Sequence, residues 1–254
     1  MQLTWLDNGS WLIELADQRI LLDPWLVGPF QFGNGGWFFQ AQRNQPREIP
    51  ANIDLILLSQ GLPDHAHPPT LKALDRSIPV MGSPKAAALA TRLGYRSVTA
   101  LADGDEVCLG ERVTIRAIAG SPEGLKAMGN AYILRDTVSG FSLYHEPHGV
   151  HRDSLAAQTP VDVVLSPALN VRTVFGSRLE GEQLALRAAE LLQPRFLLPT
   201  GAGGDLTYSG LLTKLLREDD QPSQLQERCT EAGLPTRVLQ PQPWQPLRLE
   251  AVTS

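Results

Sequence analysis

Short apolar runs broken by turn residues open the chain. Residues 3–6, 11–15 and 19–22 are the runs. Asp7-Asn8-Gly9-Ser10 and Ala16-Asp17-Gln18 separate them, and Asp23-Pro24 stops the series. This is the pattern of an antiparallel meander. From residue 28 to 50 no regular element is expected, because Gly28, Gly33, Gly35, Gly36, Pro46 and Pro50 interrupt it. Yet Phe30, Phe32, Trp37, Phe38 and Phe39 crowd this stretch, which suits either a cover over an open core or a lid on a pocket.

The period then changes. Residues 53–58 form a continuous apolar run, as a strand buried on both faces requires. Residues 68–74 predict a short helix and 78–81 a strand. Ser83-Pro84 reads as a cap and first-turn proline for a helix over 85–93, ended by Gly94. Short strands are expected near Val107 and over 113–118, 131–134 and 141–144, with another at 161–165. Leu184, Ala188, Leu191 and Leu192 fall at helical spacing within 180–192. A strand over 195–198, helices over 208–216 and 223–232, and strands near 236–239 and 247–249 complete the reading. Each half is thus a meander followed by strand–helix alternation. One domain over 1–254, built from halves of about 1–125 and 126–254, is the economical organisation. Its mixed sheets would be covered by helices on the outside.

Composition narrows the function classes. Hydrophobic residues make up 43% and charged residues 19%, an ordinary globular balance. The net charge of −5 argues against a nucleic-acid partner, which favours a basic face. No apolar run is long enough to span a membrane and the first residues do not read as a signal peptide, so a cytoplasmic protein without a membrane partner is expected. Cys108 and Cys229 exclude a cysteine-based zinc site.

The candidate chemistry lies in loops. All five histidines fall in two segments, each after an expected strand: Asp64-His65-Ala66-His67, and His145-Glu146-Pro147-His148-Gly149-Val150-His151. Imidazoles and carboxylates together suit zinc, and less selectively iron or manganese. The alternative is that Asp64-His65 is a structural pair and the later histidines are exposed. A third loop, Thr200-Gly201-Ala202-Gly203-Gly204-Asp205, could bring backbone amides to an anion, but it fails the dinucleotide and P-loop patterns and reads first as a plain glycine turn.

These residues carry a resemblance. The runs Trp11-Leu12-Ile13-Glu14-Leu15 and Ile20-Leu21-Leu22-Asp23-Pro24-Trp25, then Ser59-Gln60-Gly61-Leu62-Pro63-Asp64-His65, resemble metallo-β-lactamase-fold proteins, in the branch similar to L-ascorbate-6-phosphate lactonase. The family's Ser-His-x-His-x-Asp-His loop is matched at Asp64 and His65, but Gln60 and Leu62 replace its first two histidines. No histidine stands in Ala119-Gly120-Ser121-Pro122-Glu123 or after Leu198-Pro199, and Glu146 takes the place of the bridging aspartate.

The resemblance implies an α/β fold, a four-layer αββα sandwich of two mixed sheets with the site at their shared edge. It argues against a dinuclear zinc centre. One divalent ion, zinc before iron or manganese, is the cofactor expectation, with Asp64, His65, Glu146, His148 and His151 as candidate ligands. Asp64 and His65 are the candidate catalytic residues. Trp37, Phe38, Gln60, Gly201 and Gly203 are candidate contacts for a small-molecule substrate. Two functions follow: hydrolysis of an ester, lactone or phosphorylated small molecule, or a catalytically inactive ligand-binding module on the same fold. An exposed Trp37-Phe38-Phe39 patch would suit a homodimer.

Overall fold

The structure, a computed structural model, describes residues 1–32, 35–123, 127–173, 178–201, 203–218 and 224–250. Residues 33, 34, 202 and 223 of the expected segments, and the junction expected between halves near 125, lie outside that set.

Two seven-stranded mixed sheets form the centre. In spatial order the first runs Pro246–Arg248, Gln2–Trp5, Trp11–Leu15, Gln18–Leu22, Leu55–Leu58, Val80–Gly82, Val98–Ala100. The second runs Arg237–Val238, Phe196–Thr200, Val163–Pro167, Ser142–His145, Met128–Asp136, Val113–Pro122, Glu106–Leu109. The change of sheet along the chain falls between Ala100 and Glu106, and the last strand returns to pair with the first.

The apolar run at 55–58 shows why these strands carry no polar face. Leu55 and Leu57 enter the core between the sheets. Ile56 and Leu58 point the other way, under the helices Pro68–Ala73 and Pro84–Arg92. In the second sheet Val163 and Leu165 join the central core, while Val164 packs beneath the helices Gly181–Leu192 and Leu225–Glu231. Three stacked apolar layers between four layers of structure are the expected αββα sandwich. No helix among the described residues is long and apolar enough to cross a membrane.

Local chemistry sets the helix starts. Ser83 Oγ accepts from the Ala86 amide at 3.4 Å, with proline at the first turn. His67 caps the helix Pro68–Ala73, its Nδ1 accepting from the Thr70 amide at 3.4 Å.

Two expectations are corrected. The stretch 28–50 is not wholly irregular: Phe30–Phe32 and Phe39–Arg43 form a small sheet with Leu206–Ser209. A buried aromatic cluster of Trp25 and Phe30, with Phe39 and Tyr208 against it, supplies the driving force that the glycines hid. The helix expected over 208–216 is reduced to Leu211–Leu215, because residues 206–209 are claimed as a strand by that sheet.

Parallel pairing of Gln18–Leu22 with Leu55–Leu58, and of Ser142–His145, Val163–Pro167 and Phe196–Thr200 with one another, brings their carboxyl ends into line within each sheet. Tyr132 ties the sheets together there. Its fully buried hydroxyl donates to the Leu58 carbonyl at 2.8 Å and accepts from Asn130 Nδ2 at 3.1 Å. Tyr132→Phe removes one hydrogen bond from each partner, although the Leu58 carbonyl keeps the Ser83 amide and Asn130 Nδ2 keeps the Leu101 carbonyl, and is expected to cost about 0.5–1.5 kcal/mol of unfolding free energy. Denaturant melts check this, and a loss below ~0.5 kcal/mol would contradict the assigned role.

Candidate metal centre

Asp23 ends the strand Gln18–Leu22 with φ +44°, a left-handed conformation that aspartate tolerates better than most residues. The turn points its carboxylate inward, fully buried. Oδ1 accepts the Ser59 amide at 2.7 Å, and Oδ2 accepts the Ser59 hydroxyl. His65 Nδ1 lies 2.9 Å from Oδ2, and His145 Nε2 lies 3.6 Å from it. Neither ring nitrogen of His145, also fully buried, has a hydrogen-bond partner among the described residues.

His65 follows the turn in which the Leu62 carbonyl accepts from the His65 and Ala66 amides. With Nδ1 committed to Asp23, its Nε2 faces outward. It stands 3.1 Å from His148 Nε2 and 3.3 Å from Asp64 Oδ2. One ligand atom from each of Asp64, His65 and His148 lies within 4.8 Å of the others. Two ligands on a tetrahedral ion, with bonds of about 2.0–2.1 Å, stand roughly 3.3–3.4 Å apart. The spacings on either side of His65 are close to such edges. An aspartate behind the ring nitrogen fixes the tautomer a metal needs. Burial grades from His65, buried, through Asp64 to His148, exposed. Solvent can therefore reach one side, as an open coordination position requires.

The charges agree with this packing. Burial alone would raise the Asp23 carboxyl, but His65 and His145 outweigh it and hold it well below the carboxylate range. Burial alone would lower His65, but attraction to Asp23 and then Asp64 raises it to about 10. Asp64 is likewise lowered against its burial, chiefly by His65. His148 is lowered, by burial and by the charge on His65.

The other sequence candidates are placed elsewhere. Glu146 is fully buried, and both oxygens accept backbone amides: Oε1 from Ser121 at 3.0 Å, Oε2 from His148 at 2.9 Å and Val150 at 2.8 Å. It shapes the loop that presents His148 and is not part of the three-residue group. His151 is also outside that group. Its Nδ1 meets the Tyr144 hydroxyl at 3.1 Å and its Nε2 the Ser166 hydroxyl at 3.2 Å. Gln60 donates Nε2 to Ser121 Oγ at 2.7 Å, and its buried Oε1 has no partner among the described residues. Gly129 makes room for it, since a Cβ there would lie 2.5 Å from Gln60 Cγ. The Gly61 amide donates to Glu123 Oε1 at 2.6 Å.

Trp37, 65% exposed, packs edge-on against Phe38. Their carbonyls accept from Leu211 and Leu212 beside the small sheet. The Gly201 amide donates to the Asn8 carbonyl at 3.3 Å and the Gly203 amide to the Tyr208 hydroxyl at 3.0 Å. The glycine turn leads into the strand Leu206–Ser209, not a helix, so the helix N-terminus that an anion cradle would need is not there.

Sequence reasoning did not single out Asp23, Ser59, Ser121 or Glu123. The available signal was an aspartate closing an apolar strand immediately before proline.

Comparisons agree with this frame. The family model described as Beta-lactamase superfamily domain matches residues 2–201. The chain is 35% identical over 79 residues to cytidine monophosphate-N-acetylneuraminic acid hydroxylase of Cricetulus griseus, a match spanning 31% of this chain and 14% of that protein. Among solved structures, an isothiocyanate hydrolase from Delia radicum gut bacteria superposes with TM-score 0.70 at 17% identity, over 99% of this chain and 100% of that one. CmlA, a diiron β-hydroxylase from Streptomyces venezuelae, superposes with TM-score 0.67 at 16% identity, over 98% of this chain and 54% of that one. At these identities the structural matches establish the fold.

The pH dependence follows with definite sign. In metal-free protein, stability from the raised His65 is complete below about pH 6.5 and is lost as pH rises through about 10. Stability from the depressed Asp23 is present above about pH 4 and is lost as pH falls further toward its folded value. Histidine NMR of metal-free protein at pH 8 should show His65 protonated, and Asp23→Asn should bring its titration down toward neutrality. A neutral His65 at pH 8 in metal-free wild type would contradict the assigned pairing.

Proposed function

The chain belongs to the beta-lactamase superfamily domain family and carries the metallo-β-lactamase fold, and from that premise we propose that Asp64, His65 and His148 hold one divalent metal ion in a hydrolase site. The observation that carries this reading is the spacing of 3.1 and 3.3 Å around His65 Nε2, with Asp23 fixed behind the same ring. Zinc is the first candidate for this nitrogen and carboxylate set, with iron or manganese next. When bound, such an ion supplies Lewis-acid polarisation of a carbonyl or phosphoryl oxygen and acidifies water.

The chain's own groups do the rest. Asp23 orients His65 and neutralises the site from behind. Asp64, half-buried, is placed to orient water and accept its proton. Gln60, expected from sequence to touch substrate, is fully buried and so backs the site instead. An ester, a lactone or a phosphorylated small molecule is the proposed substrate class, in keeping with the resemblance to the L-ascorbate-6-phosphate lactonase branch. The partial likeness to a hydroxylase covers too little of either chain to shift this choice.

A second reading has its own support. Gln60 donates to Ser121 at the positions where the resemblance would place further ligands, and Glu146 is fully used by backbone amides. A protein retired from catalysis to ligand binding would look like this.

Elemental analysis of untagged protein separates the two. One tightly held ion per chain is expected in wild type. Asp64→Ala, His65→Ala and His148→Ala should each lose it or weaken binding by a hundredfold or more, on the order seen when ligand shells are disturbed. His151→Ala should retain it. A wild-type protein that neither contains nor takes up zinc, iron or manganese sinks the hydrolase reading and leaves the binding module.

A further inference from the structure

The candidate ligands come from two sheets. Asp64 and His65 stand on the loop that leaves Leu55–Leu58 of the first, and His148 on the loop that leaves Ser142–His145 of the second. The 3.1 Å between His65 Nε2 and His148 Nε2 therefore depends on how one loop is held against the other. Ser121 is bonded to both.

Ser121 lies near the end of the strand Val113–Pro122, where the pairing with Met128–Asp136 slips. Ala119 faces Asn130 and Pro122 faces Met128, so Gly120 and Ser121 together oppose Gly129. A bulge of this kind takes its residues out of the ladder and re-aims them. The Ser121 amide turns to the second loop and donates to Glu146 Oε1 at 3.0 Å. The other oxygen of that carboxylate accepts from the His148 amide at 2.9 Å. The Ser121 hydroxyl turns to the first loop and accepts from Gln60 Nε2 at 2.7 Å.

The whole path from Gln60 to Glu146 is shielded from water. Gln60 and Glu146 are fully buried, and Ser121 is 4% exposed. Hydrogen bonds in such surroundings are stronger than in water. Gly129 lets the path close, since a Cβ there would lie 2.8 Å from Gln60 Nε2. Two further bonds reach the first loop from the second sheet's side: the Gly61 amide donates to Glu123 Oε1 at 2.6 Å, and the Asn130 amide to the Ser59 carbonyl at 2.8 Å. Among the described residues, neither Glu123 nor Asn130 is bonded to the loop that carries His148. Ser121 joins the two.

We propose that Ser121 is a positioning residue of the metal centre. Through its hydroxyl on Gln60 and its amide on Glu146 it sets His65 and His148 at the separation that one ion can bridge. This role presupposes that Asp64, His65 and His148 are the ligands. Ser121 is not one itself.

The test uses the full chain and zinc alone as the probe. Zinc affinity is measured by competition with a chromophoric chelator. In metal-free protein, NMR cross-relaxation reads the contact between the His65 and His148 rings, whose centroids lie 4.9 Å apart. Wild type is expected to show it. Ser121→Ala should bind zinc about tenfold more weakly, at the low end for groups that orient ligands, and should lose most of the cross-relaxation. Gln60→Met, which keeps the chain length but not the donor, should match it. The double variant should be no weaker than either single one, because both remove the same bond. Wild-type affinity and ring contact in Ser121→Ala overturn the proposal, and a lowered melting temperature with both unchanged would make the bond merely structural. Additive losses in the double variant overturn it too. Should Ser121→Ala fail to fold, Gln60→Met decides on the same two measurements. A wild type that takes up no zinc sinks the metal reading instead, and the ring contact in the metal-free variants still decides for or against Ser121.

Discussion

A single buried carboxylate organises the functional edge of this molecule. Asp23 takes two hydrogen bonds from Ser59 and pairs with His65, while His145 sits beside it with no hydrogen bond of its own among the described residues. A charge in that position is tolerated because the cationic His65 and the two Ser59 donors face it. The arrangement depends on the parallel pairing of Gln18–Leu22 with Leu55–Leu58, which sets the end of one strand beside the start of the next loop. It also depends on the second sheet, whose Ser142–His145 strand delivers His145 and, three residues on, His148. Both sheets therefore converge on one carboxylate before they converge on any ligand.

That dependence separates two kinds of work in the histidine loops. His67 stabilises a helix start and His151 bridges two hydroxyls, so both are consumed by structure. His65 is gripped by Asp23 at one nitrogen and turns the other toward Asp64 and His148. Glu146 is the clearest case of a residue whose type suggests a ligand but whose neighbours are backbone amides. It fixes where His148 stands, and the metal reading relies on it in that indirect way.

Much of the fold was legible because burial on both faces writes long apolar runs such as 55–58, and because caps such as Ser83-Pro84 mark helix starts. The small sheet was not legible. Glycines masked the strands Phe30–Phe32 and Phe39–Arg43, and their partner Leu206–Ser209 lies far along the chain, so no local pattern could reveal the pairing. At the site, Asp64, His65 and His148 could be picked out by residue type. Their separation from Glu146 and His151 could not, since it depends on which backbone amides reach which carboxylate. Asp23 was visible only as a strand terminator; its role appears once the two sheets are in register.

The pairing of Gln60 with Ser121 has a consequence for redesign. The amide and hydroxyl close on each other, and Gly129 presses its backbone against the glutamine stem. A histidine at position 60 alone would have to replace the donor that Gln60 gives Ser121 and would still face leucine at 62. Building further metal ligands into this part of the chain therefore requires several residues to change together, because each polar group there already holds a neighbour.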